Sequence, residues 1–142
     1  MGKIAALVEL VRRNVGALDE LLESRTAESL IGDYVMLNAV LHLLQTAAQA
    51  LIDLGAHLLA ELGGELPRRY ADIPKALREL GVLPMHDADL MRRAVGFRNV
   101  VHGYAGVSLD IVRAILGERT YRELYRLALA MAKYAAERGI DP

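Results

Sequence analysis

Apolar residues recur at three- and four-residue steps along nearly the whole chain, which is the spacing of one face of a helix. The helices that this pattern predicts span residues 3–22, 27–62, 74–81, 87–102, 109–116 and 120–138. No stretch shows the two-residue alternation of a half-buried strand. The sequence therefore predicts an all-α fold, a helical bundle of two or three long helices with shorter ones between them.

The second predicted helix is long for a chain of this size. At 1.5 Å per residue, a helix over 27–62 would extend about 50 Å, more than one compact domain covers, which favours a partner subunit. Beside its leucines runs a stripe of polar residues: Asn38, His42, Gln45, Gln49 and Asp53. Two interpretations stay open, a hydrogen-bonded lining of a dimer cleft and an ordinary solvated helix face.

Composition narrows the class of protein. The 142 residues, with net charge −1 and no cysteine, are expected to form a single domain over 1–142 in the cytoplasm. No signal peptide and no apolar run of about 18 residues is evident, so no membrane span is expected.

The sequence lacks a phosphate-binding glycine loop, and no cofactor is expected. His86, Asp87 and Asp89 include metal-ligand types, but at a helix start aspartates more often cap the helix.

The candidate catalytic residues lie near the end of the helix predicted over 87–102. Arg98 and His102 are four residues apart, so they lie about 40° from each other on a helix. A permanent cation beside a titratable base suits metal-free RNA cleavage, in which the base removes the 2′-OH proton and the cation stabilises the phosphorane. The products would be a 2′,3′-cyclic phosphate and a 5′-OH. The alternative is a surface pair at a helix end that Gly103 terminates.

The segment from Gly96 to Tyr104, GFRNVVHGY, resembles the signature of the HEPN superfamily, and more narrowly that of its HepT-like branch. Residues 33–57 resemble the long second helix of that branch. Residues 66–70 and 77–81 resemble its proline-rich turn and the helix that follows. The resemblance spans about residues 5–135, and it implies a HEPN-type helical bundle.

The resemblance also implies a function. Proteins of this branch are homodimers in which Arg98 and His102 of both chains would form a composite ribonuclease site, with Asn99 orienting the motif. They act as toxins of type VII toxin–antitoxin pairs. The partner, an MntA-like minimal nucleotidyltransferase antitoxin, would silence the toxin by transferring AMP to Tyr104, whose nucleotide would block the cleft.

Two features refine this expectation. Arg92 and Arg93, together with Arg98, would place about six cations of a dimer near one cleft, enough to hold several RNA phosphates. The usual motif has four residues between the arginine and the histidine, whereas this chain has three. On a continuous helix, one deleted residue rotates His102 by about 100° relative to Arg98. The alternative function is therefore a catalytically impaired HEPN module that partners a nucleotidyltransferase without cleaving RNA.

Overall fold

The computed structural model describes residues 2–102 and 106–141, apart from the side chain of His102. Its helices are α1 (Lys3–Ser24), α2 (Ala27–Ile31), α3 (Tyr34–Glu61), α4 (Ile73–Glu79), α5 (Met85–His102), α6 (Leu109–Gly117) and α7 (Arg122–Glu137). A short 3-10 turn, Tyr70–Asp72, leads into α4. The described residues include no strand, so the prediction of an all-α fold is confirmed.

Helix α3 is the centre of the bundle. It packs against α1, α2, α4, α5 and α7, while α7 also packs against α1. One continuous apolar core results, in which Leu18, Leu51, Leu58 and Met131 are almost completely buried. Five of the outer helices therefore present an apolar stripe to the same central helix, as the sequence pattern predicts, whereas α6 packs against α2.

The prediction of one helix over 27–62 is wrong, because the chain breaks at Gly32 and Asp33. Thr26 caps α2 by accepting a hydrogen bond from the backbone N–H of Ser29 at 3.1 Å. The Asp33 carboxylate then caps α3 by accepting from the N–H groups of Val35 and Met36. Asp33 at this cap starts a new helix instead of continuing the old one. The remaining helix of 28 residues is about 42 Å long.

Another predicted helix start also differs in the structure. The pair Thr120 and Glu123 predicts a capping box that opens the last helix. Helix α7 instead follows Tyr121, whose side chain makes no capping hydrogen bond. The Tyr121 ring is buried and its hydroxyl bonds elsewhere, so core packing determines where this helix begins.

Helix α3 has the length and the mean hydropathy, 1.5 over its most apolar window, of a membrane-crossing helix. The sequence pattern predicts no such span. In the structure the apolar faces of α3 contact five other helices of the bundle, and this packing accounts for its composition.

The position of α5 depends on a close approach to α3 at Gly55. A Cβ atom at Gly55 would lie 3.0 Å from the Ile73 Cγ2 and Met91 Cε atoms. At its other side α5 is bound to α7, because the Asp87 carboxylate accepts hydrogen bonds from the Arg126 guanidinium at 2.8 and 3.3 Å. These contacts fix the first half of the helix that carries the predicted motif.

Candidate functional site

The predicted motif lies in the last turns of α5. The backbone is α-helical through His102, so Arg98 and His102 are separated by about one turn and share a face. The helix does not end early to offset the missing residue. The His102 side chain and the whole of Tyr104 lie outside the described residues.

The guanidinium of Arg98 is held between two neighbours. Its Cζ atom lies 5.1 Å from the centroid of the Tyr70 ring, within the range of a cation–π contact. Its Nη1 donates a hydrogen bond to the Asn99 Oδ1 at 3.1 Å. The Nε atom is buried without an acceptor among the described residues. Because a buried donor without an acceptor is costly, this N–H is available to a bound water molecule or ligand.

A depression of about 320 Å³ lies beside Arg98. It is lined by Arg68, Arg69, Tyr70, Ala71 and Asn99. The sequence analysis assigns no site role to residues 68–70, because they fall in a connector far from the motif along the chain. An Arg-Arg-Tyr triplet in an exposed loop is the signal that could have identified them.

The two other predicted phosphate-binding arginines, Arg92 and Arg93, are exposed. Arg93 is turned about 140° away from Arg98 around the helix axis. It borders a second groove of about 460 Å³, mostly apolar, that lies between α3, α5, α6 and α7. Leu90, Phe97 and Ile111 line the same groove. Within one chain, the structure therefore does not bring Arg93 together with Arg98.

The polar stripe on α3 is only partly buried. Asn38 and His42 are exposed, whereas Gln45 and Gln49 are half-buried. The Asn38 amide donates to the Tyr34 carbonyl, and the Gln49 amide donates to the Asp53 carboxylate at 2.9 Å. The stripe is not among the residues that line either depression.

Of the two aspartates at the start of α5, Asp87 has a structural partner and Asp89 is exposed. Asp87 is buried against Arg126, as described above, and it does not cap the helix. Within residues 2–102 and 106–141, no cluster of three or more histidine, aspartate or glutamate side chains could hold a metal ion.

The chain is similar to known ribonuclease-type proteins. Residues 11–131 match the family described as "Ribonuclease HepT-like". A candidate RNase of Archaeoglobus fulgidus is 34% identical over 109 residues, which cover 76% of this chain and 80% of that protein. A second candidate RNase of that organism is 28% identical over 85 residues, 59% of this chain and 64% of that protein.

Solved structures share the fold. A tri-AMPylated HEPN toxin of Shewanella oneidensis, in complex with an MNT antitoxin, superposes with a TM-score of 0.82 at 19% identity, covering 92% of this chain and 97% of that one. A toxin–antitoxin complex of MntA and HpeT, in a mutant form with a tyrosine-to-alanine substitution, superposes with a TM-score of 0.80 at 17% identity. The match covers 92% of this chain and 98% of that one. The bundle is thus that of HEPN toxins, and the match over residues 11–131 shows that the chain belongs to the HepT-like ribonuclease family.

Proposed function

We propose that this protein is the RNA endonuclease toxin of a toxin–antitoxin pair, acting in the cytoplasm without a metal ion. His102 removes the proton of an RNA 2′-OH, and the 2′-oxygen attacks the adjacent phosphorus. The bond from phosphorus to the 5′-oxygen breaks, and that oxygen takes the proton that the His102 imidazole had accepted and leaves as a 5′-OH. A 2′,3′-cyclic phosphate remains on the other fragment.

The observation that carries this proposal is the position of Arg98. Its guanidinium is held by Tyr70 and Asn99 one helical turn before His102, in a chain of a ribonuclease family. A fixed cation stabilises the charge that develops on the phosphorane, because no reorganisation is needed during the reaction. Asn99 orients the guanidinium through its side-chain carbonyl.

The active form in this proposal is a homodimer. Two copies of the α5 motif meet at a two-fold axis, so that Arg98 and His102 of both chains line one RNA-binding cleft. Arg92 and Arg93, both exposed on α5 but turned away from Arg98 around the helix axis, bind phosphates of the RNA on either side of that cleft. The polar stripe with Asn38 and His42 lines the interface.

The test is cleavage of a fluorescent RNA by the purified dimer in EDTA. Wild type leaves cyclic-phosphate ends, whereas Arg98→Ala and His102→Ala each reduce the rate by at least about 100-fold. Arg13→Ala on α1, also exposed, is the matched control and cleaves normally. Undiminished cleavage by a folded His102→Ala variant excludes His102 as the base.

The proposed antitoxin is a minimal nucleotidyltransferase of the MntA type. The Tyr104 phenolate attacks the α-phosphorus of ATP, pyrophosphate leaves, and AMP remains on the tyrosine oxygen. The anionic nucleotide then occupies the cleft and pairs with Arg98. When it is incubated with an MntA-type nucleotidyltransferase and ATP, the wild-type protein gains the mass of one adenylyl group and loses ribonuclease activity. Tyr104→Phe gains no mass and remains active.

A second function is favoured by the short spacing in the motif. Because α5 stays helical through His102, the missing residue is not compensated by an early helix end. In a catalytically impaired HEPN module, the dimer and the nucleotidyltransferase partner are kept while RNA cleavage is lost. A folded, unmodified dimer that accepts AMP but leaves RNA intact establishes this alternative.

A further inference from the structure

We infer that the depression formed by Arg68, Arg69 and Tyr70 is a subsite for one nucleotide of single-stranded RNA, next to the scissile phosphate. This inference rests on the proposed ribonuclease function and identifies residues that hold the substrate. The base stacks on the Tyr70 ring, and the flanking phosphates bind the two arginines.

The Tyr70 ring is suited to stacking. It is 42% exposed and lines the depression, although the Arg98 guanidinium already lies over the ring. An exposed aromatic ring in a loop contributes little to the core, but it offers a π-face to any base. The same ring thus contacts the proposed catalytic cation, Arg98, and forms part of the wall of the depression.

The charge of the depression is available to a ligand. Arg25, Arg113 and Arg126, like several other arginines, are paired with carboxylates of this chain. In the part of the chain that the structure describes, Arg68 and Arg69 form no ion pair, and both are exposed. Two unpaired guanidinium groups beside an exposed tyrosine favour a phosphodiester with a base over an apolar or cationic partner.

The location links this subsite to the motif. Asn99 lines the depression and also accepts the hydrogen bond from Arg98. The 3-10 turn that carries Tyr70 packs against α5, so the loop is held at the motif. The volume of about 320 Å³ is at the lower end of small-ligand sites and fits one nucleotide.

The first experiment measures binding of a labelled single-stranded RNA by fluorescence anisotropy, in the His102→Ala background so that no RNA is cut. The double substitution Arg68→Ala/Arg69→Ala weakens binding about tenfold. It also lowers the slope of log Kd against log salt by about 1.4, since each single-strand phosphate contact contributes about 0.7. The control is Arg12→Ala/Arg13→Ala, which removes the same charge from α1 and leaves both values unchanged.

The second experiment isolates the ring. Tyr70→Ala weakens binding about tenfold, whereas Tyr70→Phe, which keeps the π-face, binds like the parent. Because Tyr70 also contacts Arg98, Tyr70→Ala and Tyr70→Phe are also compared in a background that carries Arg98→Ala. Stacking predicts that the loss from Tyr70→Ala persists there, and its disappearance would mean that Tyr70 acts only through Arg98.

A third readout is independent of activity and of any effect of the alanine on folding. The chain has no tryptophan, so Tyr70→Trp introduces a single tryptophan at the subsite, which is excited at about 295 nm apart from the remaining tyrosines. Bound RNA quenches its emission if a base stacks there, and an unchanged emission on saturation with RNA overturns the proposal.

The outcomes separate this inference from the proposed function. If wild type cleaves RNA and the subsite variants bind and cleave equally well, the subsite is excluded and the ribonuclease stands. If wild type binds RNA through these three residues without cleaving it, the subsite stands and the ribonuclease fails. If the protein binds free AMP as tightly as RNA, or does not bind RNA at all, the proposal of an RNA subsite is overturned.

Discussion

At the scale of single residues, a buried polar contact joins the start of α7 to α1. The Tyr121 side chain is 2% exposed, and its hydroxyl donates a hydrogen bond to the Asp19 carboxylate. Arg122 donates to the same carboxylate at 3.0 Å. Burial alone would raise the pKa of Asp19, but the hydrogen bonds from Tyr121 and Arg122 outweigh it and lower that pKa. Burial, followed by the bond to Asp19, raises the pKa of Tyr121.

We predict that Tyr121→Phe lowers the free energy of unfolding by about 1–2 kcal/mol at neutral pH, because a hydrogen bond to a charged group is lost. The folded pKa of Asp19 lies below its unfolded value, so its contribution is complete above the unfolded pKa, ordinarily 3.8. That contribution disappears as the pH falls through the folded pKa. Urea titrations of both proteins at several pH values test this, and a difference that grows on acidification contradicts it.

The residues of the site differ in how far the sequence reveals them. Arg98 and His102 are four residues apart, so their shared helix face follows from spacing alone, and Asn99 is the residue next to Arg98 in the chain. Tyr70 contacts Arg98 from a distant loop, and only the packing of that loop on α5 brings them together. The pairing of Asp87 with Arg126 likewise depends on how α5 and α7 meet, and the sequence suggested a helix cap there instead.

At the scale of elements, the contact between α3 and α5 depends on one glycine. Gly55 lies within a long helix, where glycine is unfavourable for backbone entropy. Its missing side chain leaves room for Ile73, Leu77 and Met91, all buried, at the junction of α3, α4 and α5. The glycine thus sets the distance between the central helix and the motif helix.

We predict opposite effects for two alanine substitutions inside helices. Gly55→Ala destabilises the fold by about 1 kcal/mol, because crowding of three buried side chains exceeds the gain in helix propensity. Gly16→Ala on α1 stabilises it by up to about 1 kcal/mol, since the new Cβ meets no atom within 4 Å beyond the adjacent residues and the backbone of its own helix. Chemical denaturation of both variants measures the difference. A stabilised Gly55→Ala variant would mean that α3 and α5 are not tightly apposed.

Helix content and order were predictable because each helix buries a regular stripe. The break at Gly32 and Asp33 was not, because the apolar spacing continues through it and predicts one helix over 27–62. The Asp33 carboxylate, which caps α3, decides the boundary locally. Periodicity reports which residues are buried, whereas capping determines where the backbone turns.

At the scale of the whole molecule, the motif end of α5 carries apolar surface. Val100 is 37% exposed and lies between Arg98 and His102. In the proposed homodimer two such helix ends meet at a two-fold axis, where each Val100 faces the same region of the other chain.

We predict that Val100→Glu weakens the dimer by about 100-fold, because the two-fold axis brings like charges together. Light scattering after gel filtration then gives the mass of one chain instead of two. The matched control is Leu10→Glu on α1, at a similarly exposed position (40%), which remains dimeric. Dimers that persist in Val100→Glu would place the interface on another face.

Helix α5 is anchored unequally along its length. Met91 and Val95 are completely buried, and Asp87 is bound to Arg126, whereas all of residues 96–101 are exposed or half-buried. Local opening of a helix requires less free energy where fewer apolar contacts are broken. Amide hydrogens should therefore exchange faster in the motif turn than at the start of the same helix. The proposed catalytic turn can open and close while the bundle remains folded.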